Sequence, residues 1–169
     1  MMRKKEATGL ERVKKENYYL DIAQTVTERS TCLRRKYGAI IVRSDEIVAT
    51  GYNGAPRGRV NCCELGRCVR EELAIPRGER YELCRSVHAE ANAIISAARS
   101  ECIGATMYLV GIDAKTGALL SDATSCAMCR RTIINAGIEK IVIRRTPTEF
   151  DVIPVQEWID HDDSLIGIE

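Results

Sequence analysis

The alternation of strand-like and helix-like patterns along the chain limits the folds open to it more than any other feature of the sequence. Two apolar runs, 38–42 and 46–52, are separated by a short polar break at Ser44-Asp45, which predicts a hairpin. Helix and strand patterns then alternate over 88–99, 105–110, 126–136 and 140–144. Because helices of this length form crossovers between parallel strands, this order predicts an α/β protein, a three-layer α/β/α domain with a mixed sheet.

The length and the remaining patterns indicate one domain over residues 1–169, with a core of about 17–145 and a C-terminal tail of 146–169. A chain of 169 residues fits a single hydrophobic core. A first helix is predicted at 17–29, and a short helix is expected in the tail. Gly137 directly follows the 126–136 pattern and is expected to end that helix in a left-handed conformation.

Charge and hydropathy argue against nucleic acids and membranes as partners. The chain has 25 Lys and Arg against 24 Asp and Glu, so no excess of positive charge favours binding to a phosphate backbone. No apolar run reaches the roughly 18 residues of a membrane span. The basic N-terminal residues are not followed by an apolar stretch, so no signal peptide is expected. We therefore predict a cytoplasmic location.

The eight cysteines are unusual for such a location. In a reducing compartment, clustered cysteines indicate a metal site or catalysis rather than a disulfide framework. Scattered buried thiols are the alternative, and that interpretation suits Cys102 best. It does not suit the clusters around 62–68 and 126–129.

Two short motifs together predict a catalytic zinc site. His88 and Glu90 stand at the start of one predicted helix, and Cys126 and Cys129 stand at the start of another. Zinc prefers nitrogen and thiolate ligands, and a catalytic site has three protein ligands and one open position. His88, Cys126 and Cys129 supply three ligands, since cysteines three apart share a helix face. Glu90 is then placed as the general acid and base. Each motif alone is common by chance; the pair at two helix starts is much less so.

This combination, His88-Ala89-Glu90 with Ser125-Cys126-Ala127-Met128-Cys129, resembles the signature of the cytidine and deoxycytidylate deaminase superfamily. The resemblance covers about 17–145 and implies the cytidine-deaminase-like fold, a catalytic Zn²⁺ and homo-oligomers. Ser125 replaces the usual proline, and we expect it to cap the helix. The stretch 111–124 is longer than in the family, and we expect an extra hairpin there.

The loop "GYNGAPRGRVNC" (51–62) resembles that of the deoxycytidylate deaminases, which act on a nucleoside monophosphate. The resemblance implies that Asn53 contacts the sugar or phosphate and that Arg57, Arg59 and Arg99 bind phosphate. The same loop also binds a regulatory triphosphate in the family, and a solvated loop is an equal alternative for Arg57 and Arg59. The backbone N–H of Ala89 is expected to bind the base carbonyl.

Four further cysteines are expected to hold a structural zinc. Cys32 and Cys62 match ligand positions in those deoxycytidylate deaminases that have a second metal, and Cys68 and Cys84 would complete a four-thiolate site. Cys63 is an alternative to Cys62. The opposing interpretation is that these thiols are free.

The resemblance thus predicts deamination of dCMP to dUMP, with Glu90 moving a proton from zinc-bound water to N3 of the base. Two alternatives stay open. One is another deaminase of the superfamily, acting on cytidine, a modified pyrimidine or tRNA adenosine. The other is a non-catalytic zinc-binding module, in which Glu90 has no role. A small nucleotide is the expected partner, because the chain lacks the basic face that a folded RNA would need.

Overall fold

A five-stranded mixed sheet forms the centre of the computed structural model, which describes residues 11–162. The strands are β1 (Arg35–Arg43), β2 (Glu46–Tyr52), β3 (Thr106–Asp113), β4 (Lys140–Arg144) and β5 (Phe150–Pro154). Their order across the sheet is β2-β1-β3-β4-β5. Strand β1 is antiparallel to β2 and β3, β3 is parallel to β4, and β4 is antiparallel to β5. The predicted hairpin and the predicted parallel pair are both present.

Helices cover both faces of this sheet. They are α1 (Lys15–Val26), α2 (Cys62–Leu65), α3 (Val69–Glu72), α4 (Ala89–Ile95), α5 (Arg99–Cys102), α6 (Ala127–Ala136) and α7 (Gln156–Asp160), with 3₁₀ turns at Thr27–Arg29 and Tyr81–Leu83. Alternate residues of β3 point to opposite faces, so Val110 packs with Leu20 of α1, and Leu109 packs with Ala93 of α4 and Ile133 of α6. The predicted three-layer α/β/α class is confirmed.

Three local predictions differ from the structure. The 88–99 pattern forms two helices rather than one, because α4 ends at Ile95 and α5 begins at Arg99. Strand β5 was not predicted; three of its five residues are exposed, so the tail carries little apolar pattern. Ser125 does not cap α6, since Cys126 is the N-cap residue and no side chain bonds there. Gly137 does end α6 with a φ of 84°, as predicted.

The expected extra hairpin at 111–124 is present in a reduced form. Ile112 and Leu119 form an isolated antiparallel bridge around a turn in which Gly117 has a φ of 73°. The turn is closed by the Asp113 carboxylate, which accepts hydrogen bonds from the backbone N–H groups of Lys115 and Thr116. The segment then runs back along the end of β3 toward α6.

Close packing at Gly51 places α4 directly on β2. A Cβ atom at this position would lie 2.3 Å from both the carbonyl oxygen of Ala89 and the backbone nitrogen of Ala93. Only glycine therefore allows the first turn of α4 to approach the strand this closely. Within the described residues, no helix is both long and apolar enough to cross a membrane.

Candidate active site

The site is built where the N-termini of α4 and α6 meet. His88 is the N-cap residue of α4 and Cys126 is the N-cap residue of α6, and both have extended backbone conformations. An N-cap side chain projects beside the free N–H groups of the first helical turn. Cys129 lies three residues after Cys126 on the same face of α6. The two helices pack together, which brings all three side chains to one place.

The three predicted ligands have the spacing of a zinc site. The Nδ1 atom of His88 lies 3.4 Å from the Sγ atom of Cys126 and 3.4 Å from that of Cys129. Tetrahedral zinc with ordinary Zn–S and Zn–N bonds would separate such nitrogen and sulfur ligands by about 3.6 Å. Elsewhere in residues 11–162, no other His, Cys, Asp or Glu group brings three ligand atoms within 4.8 Å of one another. The donor set and its geometry therefore fit zinc.

Electrostatic coupling inside this group favours the thiolate form of Cys126, which is the form of cysteine that binds a metal. The hydrogen bond from Cys129 and the neighbouring His88 ring lower the pKa of the Cys126 thiol to about 4. Burial alone would lower the pKa of His88, but the sulfur of Cys126 raises it to about 10. Cys129, which donates to Cys126, has a raised pKa. The negative charge of the group therefore lies on the Cys126 sulfur, and a bound dication would displace the protons of His88 and Cys129.

Glu90 lies in the first turn of α4 and is 4% exposed. Burial raises the pKa of its carboxyl group, and the charge of His88 opposes that effect. The side chain lines the same cavity as His88 and Cys126. A buried carboxyl group with a raised pKa beside a metal site is suited to accept and return a proton.

The cavity at this site has a volume of about 340 Å³, within the range of small-molecule pockets. Its charged lining is strongly asymmetric, since Glu90 is the one carboxylate among the lining residues. Five arginines line the wall: Arg34, Arg35, Arg70, Arg77 and Arg130. Three of these arginines pair with carboxylates of Glu71 and Asp122, and the wall as a whole still offers more guanidinium than carboxylate groups to an anionic ligand.

The irregular segment 69–84 forms one wall of the cavity and is organised by Arg70. The Arg70 guanidinium is buried and donates hydrogen bonds to the carbonyl oxygens of Pro76, Glu79 and Arg80, at 2.8, 2.6 and 2.9 Å. It also stacks on the ring of Tyr81, with its central carbon 4.5 Å from the ring centroid. These contacts hold a chain segment that has almost no apolar core of its own.

Tyr81 and Cys84 in turn contact the His88 ring. The Tyr81 ring meets the His88 ring edge-on at 5.1 Å. Burial raises the pKa of Cys84, but the adjacent His88 and the backbone N–H of Ser86 outweigh this and lower it. The segment 69–84 thus helps to orient the imidazole.

The cysteines predicted to bind a structural zinc lie close to the same cavity. Cys32, Cys68 and Cys84 line it, whereas Cys62 is buried and is not among the lining residues. The pKa of Cys62 is raised by burial and by the neighbouring Cys32, Cys68 and Cys84 thiols. The four are therefore neighbours, but no three of their sulfur atoms all lie within 4.8 Å of one another.

The residues predicted to bind substrate divide into two sets. Asn53 and Ala89 line the cavity, whereas Arg57, Arg59 and Arg99 are exposed and are not among its lining residues. Their contact with a nucleotide stays a prediction.

Asn53 is held by hydrogen bonds on both sides of its amide. Its oxygen accepts from the Ser30 hydroxyl and the Tyr37 backbone N–H, and its nitrogen donates to the Arg35 carbonyl oxygen. This network fixes the start of β1 beside the cavity.

Several lining residues were not found by sequence reasoning, namely Arg35, Tyr37, Arg77 and Tyr81. The pair Arg34-Arg35 at the start of β1 is a visible cluster of charge in the sequence, but nothing local indicates which way these side chains point. Arg77 and Tyr81 lie in an aperiodic segment whose path depends on the buried Arg70. Only the folded arrangement identifies them.

Fold and site together define a zinc-binding α/β protein with a nucleobase-deaminase arrangement of His, Glu and two Cys. The model of the cytidine and deoxycytidylate deaminase zinc-binding region matches residues 13–145. The chain therefore belongs to the cytidine and deoxycytidylate deaminase family, as the resemblance predicted.

Similar proteins agree with this assignment. A deoxycytidylate deaminase of Schizosaccharomyces pombe is 35% identical over 127 residues, which are 75% of this chain and 36% of the relative. A deoxycytidylate deaminase of Mycobacterium phage D29 is 36% identical over 131 residues, 75% of this chain and 91% of the relative. The chain thus spans about a third of the yeast relative and most of the phage relative.

Solved structures show the same fold. The crystal structure of dCMP deaminase from the cyanophage S-TIM5 in complex with dCMP and dUMP has a TM-score of 0.52 and 25% identity, covering 79% of this chain and 84% of that one. Cytidine deaminase from Burkholderia pseudomallei has a TM-score of 0.55 over 85% of this chain and 95% of its own. At 18% identity the latter supports the fold alone.

Proposed function

We propose that the protein catalyses the hydrolytic deamination of dCMP to dUMP with release of ammonia. The observation that carries the proposal is the convergence of His88, Cys126, Cys129 and the buried Glu90 on one cavity with an arginine-rich wall. The named function of the relatives from fission yeast and phage D29 supports the choice of substrate.

His88, Cys126 and Cys129 would hold the zinc ion. When bound there, zinc supplies a Lewis acid that lowers the pKa of water and makes it a nucleophile near neutral pH. Three protein ligands leave a position open for that water, which is the arrangement of catalytic rather than structural sites.

Glu90 carries the proton through the reaction. It takes a proton from the attacking water and delivers it to N3 of the cytosine ring, as a bond forms between the water oxygen and C4. Glu90 then takes the remaining proton from the hydroxyl group on C4 and transfers it to the amine, which leaves as ammonia while the C4 carbonyl forms. The raised pKa that burial gives this carboxyl group suits both directions of transfer.

Ala89 and Asn53 are proposed to position the nucleotide. The backbone N–H of Ala89 lies at the first position of α4, where it has no partner within the helix. This free donor supports the proposal that it binds the base carbonyl. The Asn53 amide nitrogen donates one hydrogen bond to the Arg35 carbonyl oxygen and keeps a second N–H for the sugar.

The substrate is tested by a panel of dCMP, deoxycytidine, cytidine and a tRNA carrying the target adenosine. We expect ammonia release to be fastest with dCMP, because the cavity wall favours an anion and the chain has no basic excess for RNA. Faster turnover of cytidine or tRNA would move the protein to another branch of the superfamily. Full zinc loading with no deamination of any substrate would favour the non-catalytic module.

We also propose a structural zinc at Cys32, Cys62, Cys68 and Cys84, and its test is the metal content. A second closed site would give about two zinc ions per chain, and Cys62→Ala should reduce this to about one. Cys62 is the variant of choice because it does not line the cavity. A ratio of one in the unaltered protein would mean that the four thiols are free.

Location and assembly are also proposals. All eight cysteines are free thiols in the structure, which fits the reducing cytoplasm. Ile95 at the end of α4 is 74% exposed, and such apolar surface fits contact with a second copy of the chain.

A further inference from the structure

The turn that leads into α6 lacks a proline. The signature of the family has proline directly before the first cysteine of the pair, and this chain has Ser125 there. A proline ring fixes φ at about −65°, whereas serine leaves that rotation open. Cys126 is the N-cap residue of α6, so the position of its sulfur atom depends on how this turn is held. Because a metal site tolerates displacements of only about 0.5 Å in its ligands, the turn needs another restraint.

Arg130 restrains this turn from within the helix that follows it. Its Nε atom donates a hydrogen bond to the Ser125 carbonyl oxygen, 3.1 Å away, in the peptide group that joins Ser125 to Cys126. Its guanidinium group lies over the ring of Trp158 in α7, with the central carbon 5.2 Å from the ring centroid. Cation–π attraction holds a planar guanidinium on an aromatic face, so Trp158 limits the positions that Arg130 can take.

Trp158 is itself fixed to the core of the protein. Val155, three residues earlier, is 3% exposed, and its backbone N–H donates to the Glu139 carbonyl oxygen at 2.9 Å. The backbone N–H of Trp158 bonds to the Val155 carbonyl oxygen, and the Trp158 side chain packs against the buried cluster that contains Cys129. The aromatic ring beside Arg130 therefore belongs to a packed unit and gives that side chain a firm support.

A second arginine holds the chain just before the turn in a similar way. Nη1 of Arg145 donates a hydrogen bond to the Ala123 carbonyl oxygen at 2.6 Å. Nε of the same guanidinium group bonds to the Asp151 carboxylate of β5 at 2.7 Å. Two arginines thus connect the approach to Cys126 with side chains of β5 and α7.

These supports come from a part of the chain that the family model does not include. The model matches residues 13–145, whereas β5 and α7 together span Phe150 to Asp160. The restraint that the family obtains from one proline is therefore matched here by contacts with the C-terminal segment 150–160.

We infer that the C-terminal segment 150–160, acting through Arg130 and Arg145, positions Cys126 for zinc and so replaces the missing proline. Arg130 and Trp158 are positioning residues, because they act on the metal through the backbone that carries Cys126. The inference concerns how the zinc site is held, and it goes beyond the reaction and substrate proposed above.

The test measures zinc release from Trp158→Ala in the absence of substrate, with an excess of a chromophoric chelator as the acceptor. Loss of a partner that orients a metal ligand changes metal affinity by about 10- to 100-fold, so release from the catalytic site should be about 10-fold faster. Trp158→Phe should stay within about threefold of the unaltered rate, because phenylalanine keeps an aromatic face for the guanidinium. The catalytic site is the phase of release that Cys129→Ala lacks.

Ser125→Pro supplies the comparison that separates positioning from general stability. The Ser125 backbone N–H donates to no other backbone group among residues 11–162, so proline removes no such bond there. With the turn restrained by the proline ring, adding Trp158→Ala should speed zinc release by less than about threefold. The same acceleration in both backgrounds would mean that the C-terminal segment stabilises the protein as a whole, and the inference would be wrong.

Zinc release is preferred to turnover in the proline background. Burial raises the pKa of the Glu90 carboxyl group, and the Ser125 hydroxyl lowers it. Turnover by Ser125→Pro would therefore combine an effect on Glu90 with the effect on the turn, whereas the rate of zinc release in the absence of substrate reports on the ligands.

Arg130→Met gives a second comparison that does not depend on the proline variant. If Trp158 acts through Arg130, then Arg130→Met with and without Trp158→Ala should release zinc at rates within about twofold of each other. Multiplied effects in the double variant would show that Trp158 acts independently of Arg130, which contradicts the inference.

Ile159→Ala is the matched control. Ile159 is next to Trp158 in α7, but it is 51% exposed and belongs to neither buried cluster of the described residues. Its zinc release should equal that of the unaltered protein, and an effect as large as that of Trp158→Ala would count against the inference, as would no effect of Trp158→Ala. None of these measurements needs turnover. A protein that showed these differences and deaminated nothing would retain the inference and lose the proposed function.

Discussion

Replacing Glu90 by Gln is expected to lower kcat for dCMP by about 10²- to 10⁴-fold while the protein keeps its zinc. The substitution preserves size and a hydrogen-bonding side chain but removes the ability to accept and return a proton. Glu90 is not one of the three residues whose ligand atoms are grouped at the metal site. Replacing it should therefore leave the zinc ion bound. Initial rates of ammonia release and the zinc content of the same sample test both halves of the prediction.

Glu139→Gln is the control for this variant. Glu139 is an exposed glutamate between α6 and β4, away from the cavity, so the same change of charge should leave turnover unaffected. Normal turnover by Glu90→Gln would remove the acid–base role assigned to this residue. If Glu90→Gln lost both its zinc and its turnover, Glu90 would instead contribute to metal binding.

The group of His88, Cys126 and Cys129 could be predicted from sequence because its parts follow local rules. A cysteine pair three apart on a helix shares one face, and an N-cap residue lies beside free N–H groups whatever the rest of the fold does. The strands next to this group were also predicted with their observed bounds, Glu46–Tyr52 and Lys140–Arg144, because each is a continuous apolar or β-branched run.

The arginines of the cavity wall could not be found in this way. The 51–62 loop was recognised by its Gly, Pro and Arg content, which predicts a loop but not the direction of each side chain. In the structure, the bridge between Gly54 and Val87 brings the start of the loop to the site, while Arg57 and Arg59 are exposed. Arg77 reaches the cavity because of hydrogen bonds made by a side chain seven residues earlier, that of Arg70.

Strand β5 is a part of the fold that sequence periodicity could not predict. Among the described strands, β5 lies at the edge of the sheet and pairs only with β4, from Lys140↔Pro154 to Arg144↔Phe150. An edge strand with exposed side chains has little apolar periodicity, so pairing with a neighbour determines its structure. Periodicity detects what faces the core, and β5 and the 69–84 segment mostly do not face it.

Replacing Cys129 by Ala is expected to abolish deamination by removing the catalytic zinc. Cys129 is 3% exposed, and its Sγ atom lies 3.4 Å from Nδ1 of His88. This sulfur is therefore the third ligand atom of the group. With two protein ligands left, the site no longer has the three that a catalytic zinc requires, and the zinc content should fall by about one ion per chain. Metal analysis after gel filtration and the dCMP deamination rate are the two measurements.

Cys102→Ala distinguishes loss of a ligand from loss of a buried thiol. Cys102 is 1% exposed in α5 and packs in the same core cluster as Cys129, but it is not part of the metal-binding group. Its removal leaves a small cavity that lowers the free energy of unfolding, while zinc content and turnover should stay normal. Equal zinc loss in both variants would show that general packing, rather than coordination by Cys129, retains the metal.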